Sequence, residues 1–202
     1  MAEGEPFRLF VAVTIPEAVK AKIEESQAEL RRALPERGAR WARREQFHLT
    51  LRFLGDVEAA RVEALGEALR AACRNFGALY LRAEGVGFFP NLHHPRVVWV
   101  GVRDEADHLP RLQQAVESAT QGFTVEEKEG RFTGHVTLAR IKSIGRPEAE
   151  ALGKAAAGVA NRHFGQWTAY QIELMRSELL PQGARHSTLA AIALAEAPAE
   201  LA

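Results

Sequence analysis

The first half of the chain alternates between apolar patterns of period two and apolar patterns of helical period. Residues 7–14, 48–54 and 79–88 have the composition and alternation of strands. Between them lie two helical stripes, one beginning after Pro16 and one for which Asp56 is the expected N-cap. The stripes consist of Val19, Ile23, Leu30 and Leu34, and of Val62, Leu65, Leu69, Cys73 and Phe76. The pattern predicts the order strand, helix, strand, helix, strand.

The second half repeats this order after a short loop that ends in proline. The predicted elements are a strand at 96–102, a helix marked by Leu109, Leu112, Val116 and Ala119, a strand at 135–141, a helix at 148–162, and strands at 168–179 and near 186–193. Each half therefore has the order strand, helix, strand, helix, strand, and the strand near 186–193 is additional.

Self-similarity at a nearly constant offset indicates a duplicated unit. The repeats span about 7–90 and 95–190 within a single domain of residues 1–202. We expect an α+β fold that is bilobal, with two pseudo-symmetric lobes and a cleft between them. Each lobe should hold a mostly antiparallel sheet with flanking helices. Periodicity alone leaves the strand order open, and the lobes can exchange elements.

Both halves carry a His-x-Thr-Leu segment on the middle strand, HLTL at 48–51 and HVTL at 135–138. Residues two apart in a strand point to the same face. His48 therefore projects with Thr50, and His135 projects with Thr137, while the apolar residues between them are buried. If the lobes face each other, two imidazoles and two hydroxyls surround one point.

Such a constellation suits the cleavage of a phosphodiester. The reaction needs a base for the attacking oxygen and an acid for the leaving oxygen, and imidazole, with a pKa of about 6.5, serves both near neutral pH. Hydroxyl donors would hold the non-bridging oxygens and meet the charge that develops on them. No metal is required, and a bell-shaped pH–rate profile is expected.

The composition limits the kinds of substrate and ligand that the protein is expected to bind. Lys plus Arg and Asp plus Glu are 26 each, so a nucleic-acid substrate must be recognised by local clusters, which favours a terminus over a long duplex. The single cysteine, Cys73, excludes an internal disulfide and is expected to be a small buried side chain. His93 and His94 are adjacent but lack further ligands at a useful spacing, so exposed loop residues are favoured over a metal site.

The N-terminal residues are acidic and lack a basic leader, and no apolar run approaches the roughly 20 residues of a membrane span. A cytoplasmic protein without membrane contact is therefore expected.

The two motifs and their flanks resemble the 2H phosphoesterase superfamily. The resemblance runs from about residue 8 to 190 and is greatest to the bacterial and archaeal RNA 2',3'-cyclic phosphodiesterases, also named 2'-5' RNA ligases. It is carried by HLTL, HVTL, RLFVAV (8–13), LRFLG (51–55), PRVVWVG (95–101), RFTGHVTLAR (131–140) and MRSELLPQGAR (175–185). Two His-x-Thr segments in matched repeat positions make this a specific signal.

The resemblance implies hydrolysis of an RNA 2',3'-cyclic phosphodiester end to a 2'-phosphomonoester. It implies His48 as the proton donor to the departing 3' oxygen and His135 as the base that activates water, with Thr50 and Thr137 binding the phosphate. The expected partners are RNA ends or small cyclic nucleotides. We expect no cofactor and no metal, and a chain that acts as a monomer.

Two positions depart from the family pattern. Gly134 stands where a proline often precedes the second histidine, which is expected to loosen the entry to that strand. His186 stands where an aromatic residue is common, so a role in base stacking is in doubt at that position.

Other side chains are candidates for substrate binding. Arg52 lies two residues beyond Thr50 and should share its face, whereas Arg140 lies three beyond the second threonine and should face the other way unless the strand bends. Arg131 and Phe132 precede the second motif and are placed to contact a nucleotide. A solvated surface arginine, and a core position for Phe132, are the alternatives.

Three other functions remain open from the residues. The same two histidines in exchanged roles would join a cyclic phosphate end to a 5'-hydroxyl without ATP, which makes 2'-5' ligation an alternative activity. A nucleotide-binding module without catalysis is a second alternative, although the intact motifs speak against it. A metal phosphodiesterase is the third, and it predicts loss of activity in EDTA.

Overall fold

The computed structural model describes residues 5–126, 130–180 and 183–195. Within these ranges it contains nine β-strands and four α-helices. The strands are β1 Phe7–Thr14, β2 Ala39–Trp41, β3 His48–Val57, β4 Leu79–Phe89, β5 Val97–Asp104, β6 His135–Ile141, β7 His163–Ala169, β8 Gln171–Leu180 and β9 Gly183–Ala193. The helices are α1 Glu17–Arg31, α2 Val62–Cys73, α3 His108–Thr120 and α4 Arg146–Ala157.

The strands form two antiparallel sheets, and each sheet takes strands from both halves of the sequence. The four-stranded sheet has the order β3-β1-β8-β9, and the five-stranded sheet has the order β2-β6-β5-β4-β7. The expected α+β class with two antiparallel sheets is confirmed. The exchange of elements, which the periodicity left open, has taken place: β8 and β9 join the first-half strands, while β2 and β4 join the second-half strands.

The helices bury most of the apolar stripes expected of them, although Leu34 and Phe76 lie beyond the ends of α1 and α2. Leu65 and Leu69 on α2 and Leu112 and Val116 on α3 are fully buried, and the two helices pack against each other. Cys73 at the end of α2 is also fully buried, and burial raises the pKa of its thiol to about 11. This confirms that Cys73 is a small core side chain, since a thiol with this pKa is not ionised at neutral pH.

Two predicted boundaries in the first half are wrong or incomplete. Asp56 does not cap α2, because it lies within β3 and pairs with Arg8 of β1. A register shift between β1 and β3 lies next to Gly55, whose φ is 63°, and β3 continues to Val57. The short strand β2 was not predicted, because three residues are too few to show an alternating pattern.

Two predictions in the second half also need correction. The segment predicted as one strand over 168–179 is divided into β7 and β8, and the chain passes between the two sheets at Tyr170. No glycine or proline marks this break, so the strand pattern runs through it. The helix predicted over 148–162 ends at Ala157, and β7 begins a few residues later at His163.

A β-bulge lies at the leucine of each His-x-Thr-Leu segment. In β3, Thr50 pairs with Ala12 and the next paired residue, Arg52, is opposite Val11, so Leu51 is the extra residue. In β6 the extra residue is Leu138, in the same position of the second motif. A bulge changes the face to which the following residues point. The two motifs therefore share a distortion as well as a sequence.

Helix α1 secures the bulge in β6 through one buried amide. The Nε2 group of Gln27 donates to the carbonyl oxygens of Leu138, at 3.0 Å, and Ala42, at 2.8 Å. Gln27 is 9% exposed, and its hydrogen bond to Leu138 is buried while that to Ala42 is partly buried. A helix of the first half thus fixes the strand that carries the second motif.

Replacing Gln27 by leucine should destabilise the fold, because the carbonyl groups of Leu138 and Ala42 each lose a hydrogen-bond donor, and the first of these bonds is buried. The expected loss in the free energy of unfolding is about 1–3 kcal/mol, measured by urea denaturation. Gln114→Leu, the same substitution at an exposed position of α3, is the matched control and should have little effect. Equal stability of the two variants would show that the Gln27 contacts are dispensable.

Candidate active site

His48 and His135 occupy the first positions of β3 and β6. These strands belong to different sheets but contact each other across the cleft. The positive charge of His135 is close enough to lower the pKa of His48. The structure therefore brings together the two histidines that the repeated motif singled out.

Each imidazole is held by the backbone two residues before it. The Nδ1 of His135 lies 2.7 Å from the carbonyl oxygen of Thr133, and a carbonyl only accepts, so Nδ1 carries the hydrogen. In the neutral ring the lone pair is then on Nε2. A backbone hydrogen bond to Gln46 acts on His48 in the same way and raises its pKa. The two rings are thus oriented by equivalent contacts.

Aromatic rings surround His48 on the side of the four-stranded sheet. The ring of Phe10 lies 4.8 Å from it and that of His186 lies 5.1 Å from it, in an edge-on arrangement. Burial lowers the pKa of His48 to about 3, and the charges of His186, His135 and Lys20 act in the same direction. In the free protein the cleft therefore holds His48 as a neutral imidazole.

A second aromatic cluster surrounds His135. The ring of Phe89 lies 5.0 Å from the imidazole, nearly perpendicular to it, and the ring of Trp99 lies 6.2 Å away. Gly87 makes room for the indole, since a Cβ atom there would overlap the Trp99 ring. The absence of a side chain at this one position lets the ring extend across β4.

Thr50 and Thr137 are half-buried, as are the two histidines. Thr50 pairs with Ala12 of β1, and Thr137 pairs with Trp99 of β5. The alternate residues of the two motifs, Leu49 and Val136 among them, are fully buried. Each strand therefore presents one imidazole and one hydroxyl on the same face.

The bulges reverse the expected positions of two arginines. Arg52 does not share the face of Thr50, because the extra residue turns it towards the interior, where it is 2% exposed. Its Nη2 group donates to the carbonyl oxygen of Glu126 at 2.8 Å. Thr124 donates from Oγ1 to the carbonyl oxygen of Leu54 at 2.7 Å in the same region. Arg52 thus anchors this segment to β3, and its burial favours a structural role over contact with a substrate.

The bulge in β6 has the opposite effect on Arg140, because it places this side chain on the threonine face. Thr137 pairs with Trp99 and Arg140 pairs with Val97, two residues apart on β5, so the bulge returns Arg140 to the face of Thr137. Arg40 of β2 lies directly opposite Arg140, and both are exposed. Within the described ranges neither arginine forms an ion pair. The sequence predicted that Arg140 faces away unless the strand bends, and the bulge is the irregularity that fulfils this exception.

The remaining predicted residues fall outside the central cluster. Arg131 is exposed, while Phe132 is partly buried and packs against the hydrophobic core, which favours its structural alternative. His93 and His94 are exposed and donate their backbone N–H groups to the side chain of Asn91. Across the described residues no group of three or more His, Cys, Asp or Glu side chains is arranged to hold a metal.

Gly134 does not loosen the entry to β6. Its carbonyl oxygen accepts a hydrogen bond from the N–H group of Val102 at 2.9 Å. A Cβ atom at position 134 would lie 2.5 Å from the carbonyl oxygen of Val102 and 3.1 Å from a methyl group of Leu109. The backbone just before His135 is therefore closely packed, contrary to the expectation from the sequence.

The sequence did not single out Phe10, Lys20, Phe89 or Trp99 as residues of the site. Aromatic and apolar residues in strands are ordinarily part of a core, so their composition carried no separate signal. Trp99 could have been found by aligning the repeats, because it faces Thr137 as Ala12 faces Thr50. Lys20 reaches the site from α1, where its ammonium group pairs with Glu17 at 3.0 Å.

Known proteins resemble this chain in both sequence and structure. A model of the LigT-like phosphoesterase family matches the chain twice, over residues 13–99 and 100–186. The RNA 2',3'-cyclic phosphodiesterase of Aeropyrum pernix is 39% identical over 147 residues, which are 72% of this chain and 80% of the relative. The crystal structure of TT0787 of Thermus thermophilus is 30% identical with a TM-score of 0.72, and the match covers 94% of this chain and 98% of that chain.

The crystal structure of E. coli LigT complexed with 3'-AMP has the same fold, with a TM-score of 0.74 at 24% identity, over 95% of this chain and 100% of that chain. Fold and relatives together define a two-lobed α+β phosphoesterase. The chain belongs to the LigT-like phosphoesterase family, and the resemblance carried by its two motifs is confirmed. In the described part of the chain, no helix has the length and apolar character needed to cross a bilayer.

Replacing Gly134 by alanine should destabilise the fold and displace His135, because the new methyl group has no space beside Val102. Overpacking of this kind costs about 1–3 kcal/mol, which urea denaturation would measure. Gly122→Ala is the matched control, since a Cβ there meets nothing within 4 Å. A Gly134→Ala variant as stable as the control would contradict the close packing described for this position.

His48 should remain neutral in the free protein between about pH 8 and pH 5, because burial disfavours the imidazolium. NMR titration of the ring would test this. Saturating inorganic phosphate should raise the pKa, since an anion in the cleft favours the protonated form. In the unfolded chain His48 binds a proton near pH 6.5, whereas the folded protein binds it only near pH 3. The contribution of neutral His48 to the free energy of unfolding is therefore present above pH 6.5 and is lost as the pH falls towards about 3. Titration of His48 near pH 6.5 without phosphate would contradict its burial.

Proposed function

We propose that this protein hydrolyses RNA 2',3'-cyclic phosphodiester ends to 2'-phosphomonoesters, with His48 and His135 as the acid–base pair and without a metal. The observation that carries the proposal is the presence, in one cleft, of two imidazoles with equivalent backbone contacts, each beside a threonine. The name of the relative from Aeropyrum pernix, an RNA 2',3'-cyclic phosphodiesterase, supports the substrate.

In the proposed reaction, water attacks phosphorus on the side opposite the 3' oxygen. The Nε2 of His135 accepts a proton from the water as the new phosphorus–oxygen bond forms. His48 donates a proton to the 3' oxygen as its bond to phosphorus breaks, and the phosphate remains on the 2' oxygen. Thr50 and Thr137 donate hydrogen bonds to the non-bridging oxygens, which gain charge in the transition state.

The low pKa of His48 makes its protonation depend on the substrate. A general acid must hold a proton, yet burial keeps this ring neutral in the free protein. The cyclic phosphate carries a negative charge, and an opposite charge within a few ångströms favours the imidazolium. Binding of the negatively charged substrate therefore raises the pKa of His48, so that the ring can hold the proton that a general acid needs. The opposite assignment, with His48 as the base, also accounts for a neutral ring. An experiment that distinguishes the two assignments is given below.

Arg140 and Arg40 support the binding of an anionic strand. Two like charges directly opposite each other in a sheet are unfavourable unless an anion lies between or above them. Both lie on the face that carries Thr137, where a planar guanidinium can bind phosphate through two hydrogen bonds. We assign Arg140 to the nucleotide next to the reacting phosphate. Arg131 remains a candidate for contacts further along the RNA.

The proposal includes action as a monomer in the cytoplasm, where RNA ends arise and a free thiol such as Cys73 stays reduced. Ligation of the cyclic end to a 5'-hydroxyl uses the same groups in reverse. Incubation of cyclic-phosphate RNA with and without a 5'-hydroxyl partner would show which product dominates. Activity lost in EDTA and restored by a divalent metal would favour a metal enzyme over the proposed mechanism.

Replacing either histidine by alanine should lower kcat for 2',3'-cyclic CMP by about 10²–10⁴, the usual contribution of a proton-transfer group. Thr50→Val and Thr137→Val each remove one hydrogen bond to a charged oxygen and should cost about 10- to 150-fold. His108→Ala, at an exposed position on α3, is the control and should keep full activity. A folded His48→Ala or His135→Ala protein with normal turnover would refute the assignment of that residue.

An aryl phosphodiester distinguishes the general acid from the general base, because its phenolate leaving group departs without protonation. His48→Ala should keep most of its activity on this substrate, because no general acid is needed, whereas His135→Ala should stay impaired. The reverse result would exchange the two roles. A wild-type protein that binds 2'-AMP but leaves every cyclic phosphate intact would instead be a nucleotide-binding module.

A further inference from the structure

A third imidazole, that of His186, lies in the site and has no role in the proposed mechanism. It is carried by β9, near the end of the β8–β9 hairpin. Gln46, two residues before the first motif histidine, donates from Nε2 to the carbonyl oxygen of Ala184 at 2.7 Å. This contact holds the hairpin at the entrance to β3. The hairpin thus delivers a side chain from the end of the sequence to a catalytic strand of the first half.

The position of the His186 ring is set by two neighbours. Its centroid lies 5.0 Å from that of Phe10 and 5.1 Å from that of His48, edge-on to both at 70° and 75°. The residue is half-buried, so part of the ring faces the cleft. Its Nδ1 atom, in contrast, is buried and has no hydrogen-bond partner among the described residues.

The buried Nδ1 atom determines where the hydrogen of the neutral ring is. A buried N–H group without an acceptor is rarer and more costly than an unpaired acceptor. Nδ1 therefore carries the lone pair, and the hydrogen is on Nε2, at the opposite side of the ring. Burial also lowers the pKa of His186, which favours the neutral ring at neutral pH. His186 is thus a neutral donor with one N–H group, available at its accessible edge.

We propose that His186 binds the substrate, donating its Nε2–H group to a non-bridging oxygen of the cyclic phosphate. It would be a third donor beside Thr50 and Thr137, and it transfers no proton. This inference rests on the proposed function. A neutral donor suits this place, because it meets the charge that grows on the phosphate oxygens and leaves His48 as the group that takes up a proton.

The matched pair His186→Phe and His186→Tyr tests the inference. Phenylalanine keeps an aromatic ring against Phe10 and His48 but has no donor, whereas tyrosine restores an O–H donor at the outer edge. We expect kcat for 2',3'-cyclic CMP to fall about 10- to 150-fold in the phenylalanine variant, the range for a hydrogen bond to a charged oxygen. The tyrosine variant should recover much of the loss, while both keep the bell-shaped pH profile.

Cyclic phosphorothioates identify the oxygen involved. Sulfur is a weak acceptor, so the wild-type protein should be slowed by sulfur at the oxygen that His186 binds. The phenylalanine variant should be slowed less than the wild-type protein by that diastereomer, because only the threonine donor to this oxygen is left. The effect of sulfur at the other position, held by a threonine, should persist in both proteins.

Three outcomes would overturn the inference. Full activity of His186→Phe would show that no donor is needed at this position. Equal impairment of the phenylalanine and tyrosine variants, with normal folding, would indicate that the histidine only packs against His48. Loss of one limb of the pH profile in the phenylalanine variant would make His186 a proton-transfer group. A wild-type protein inactive on all cyclic phosphates would refute the proposed function itself, a result distinct from these.

Discussion

The register of two β-strands controls which side chains meet in the cleft. Each His-x-Thr-Leu segment contains a bulge at its leucine, opposite β1 in one sheet and β5 in the other. The bulge leaves the histidine and threonine on one face and changes the face of the residues that directly follow. As a result Arg52 enters the interior, whereas Arg140 joins the threonine face. The charge distribution of the site follows from this single irregularity, repeated in both sheets.

The two catalytic strands keep their relative position because elements of the two halves are interleaved. Helix α1 places Gln27 on the bulge of β6, and Arg52 holds the segment near Glu126 that leads to the second motif. A third connection is the hydrogen bond from Gln46 to Ala184 of the β8–β9 hairpin. Each contact joins residues that are distant in the chain. A cleft made by two independent repeats would have no such cross-connections, and the distance between the imidazoles would then depend on the linker alone.

Desolvation governs the electrostatics of the site. The rings of Phe10 and His186 pack around His48, the rings of Phe89 and Trp99 pack around His135, and both imidazoles are half-buried. Burial lowers the pKa of His48. A protonated ring is disfavoured in such surroundings until an anion arrives. In the proposed mechanism, the negative charge of the phosphodiester and the proton of the general acid stabilise each other. Neutral donors, two hydroxyls and the proposed imidazole, add hydrogen bonds without adding a competing positive charge.

The sequence by itself determined the α+β class, the family, and the four motif side chains, because these depend on local periodicity and on a pattern written twice. It also indicated that Cys73 belongs to the core. The tertiary structure decided the faces on which Arg52 and Arg140 lie, the division of the strand at Tyr170 and the presence of His186 beside the first motif. These features arise from pairing between strands that are far apart in the chain, and a shift of one residue in such a pairing reverses the face of a side chain. Local pattern carries no record of that register.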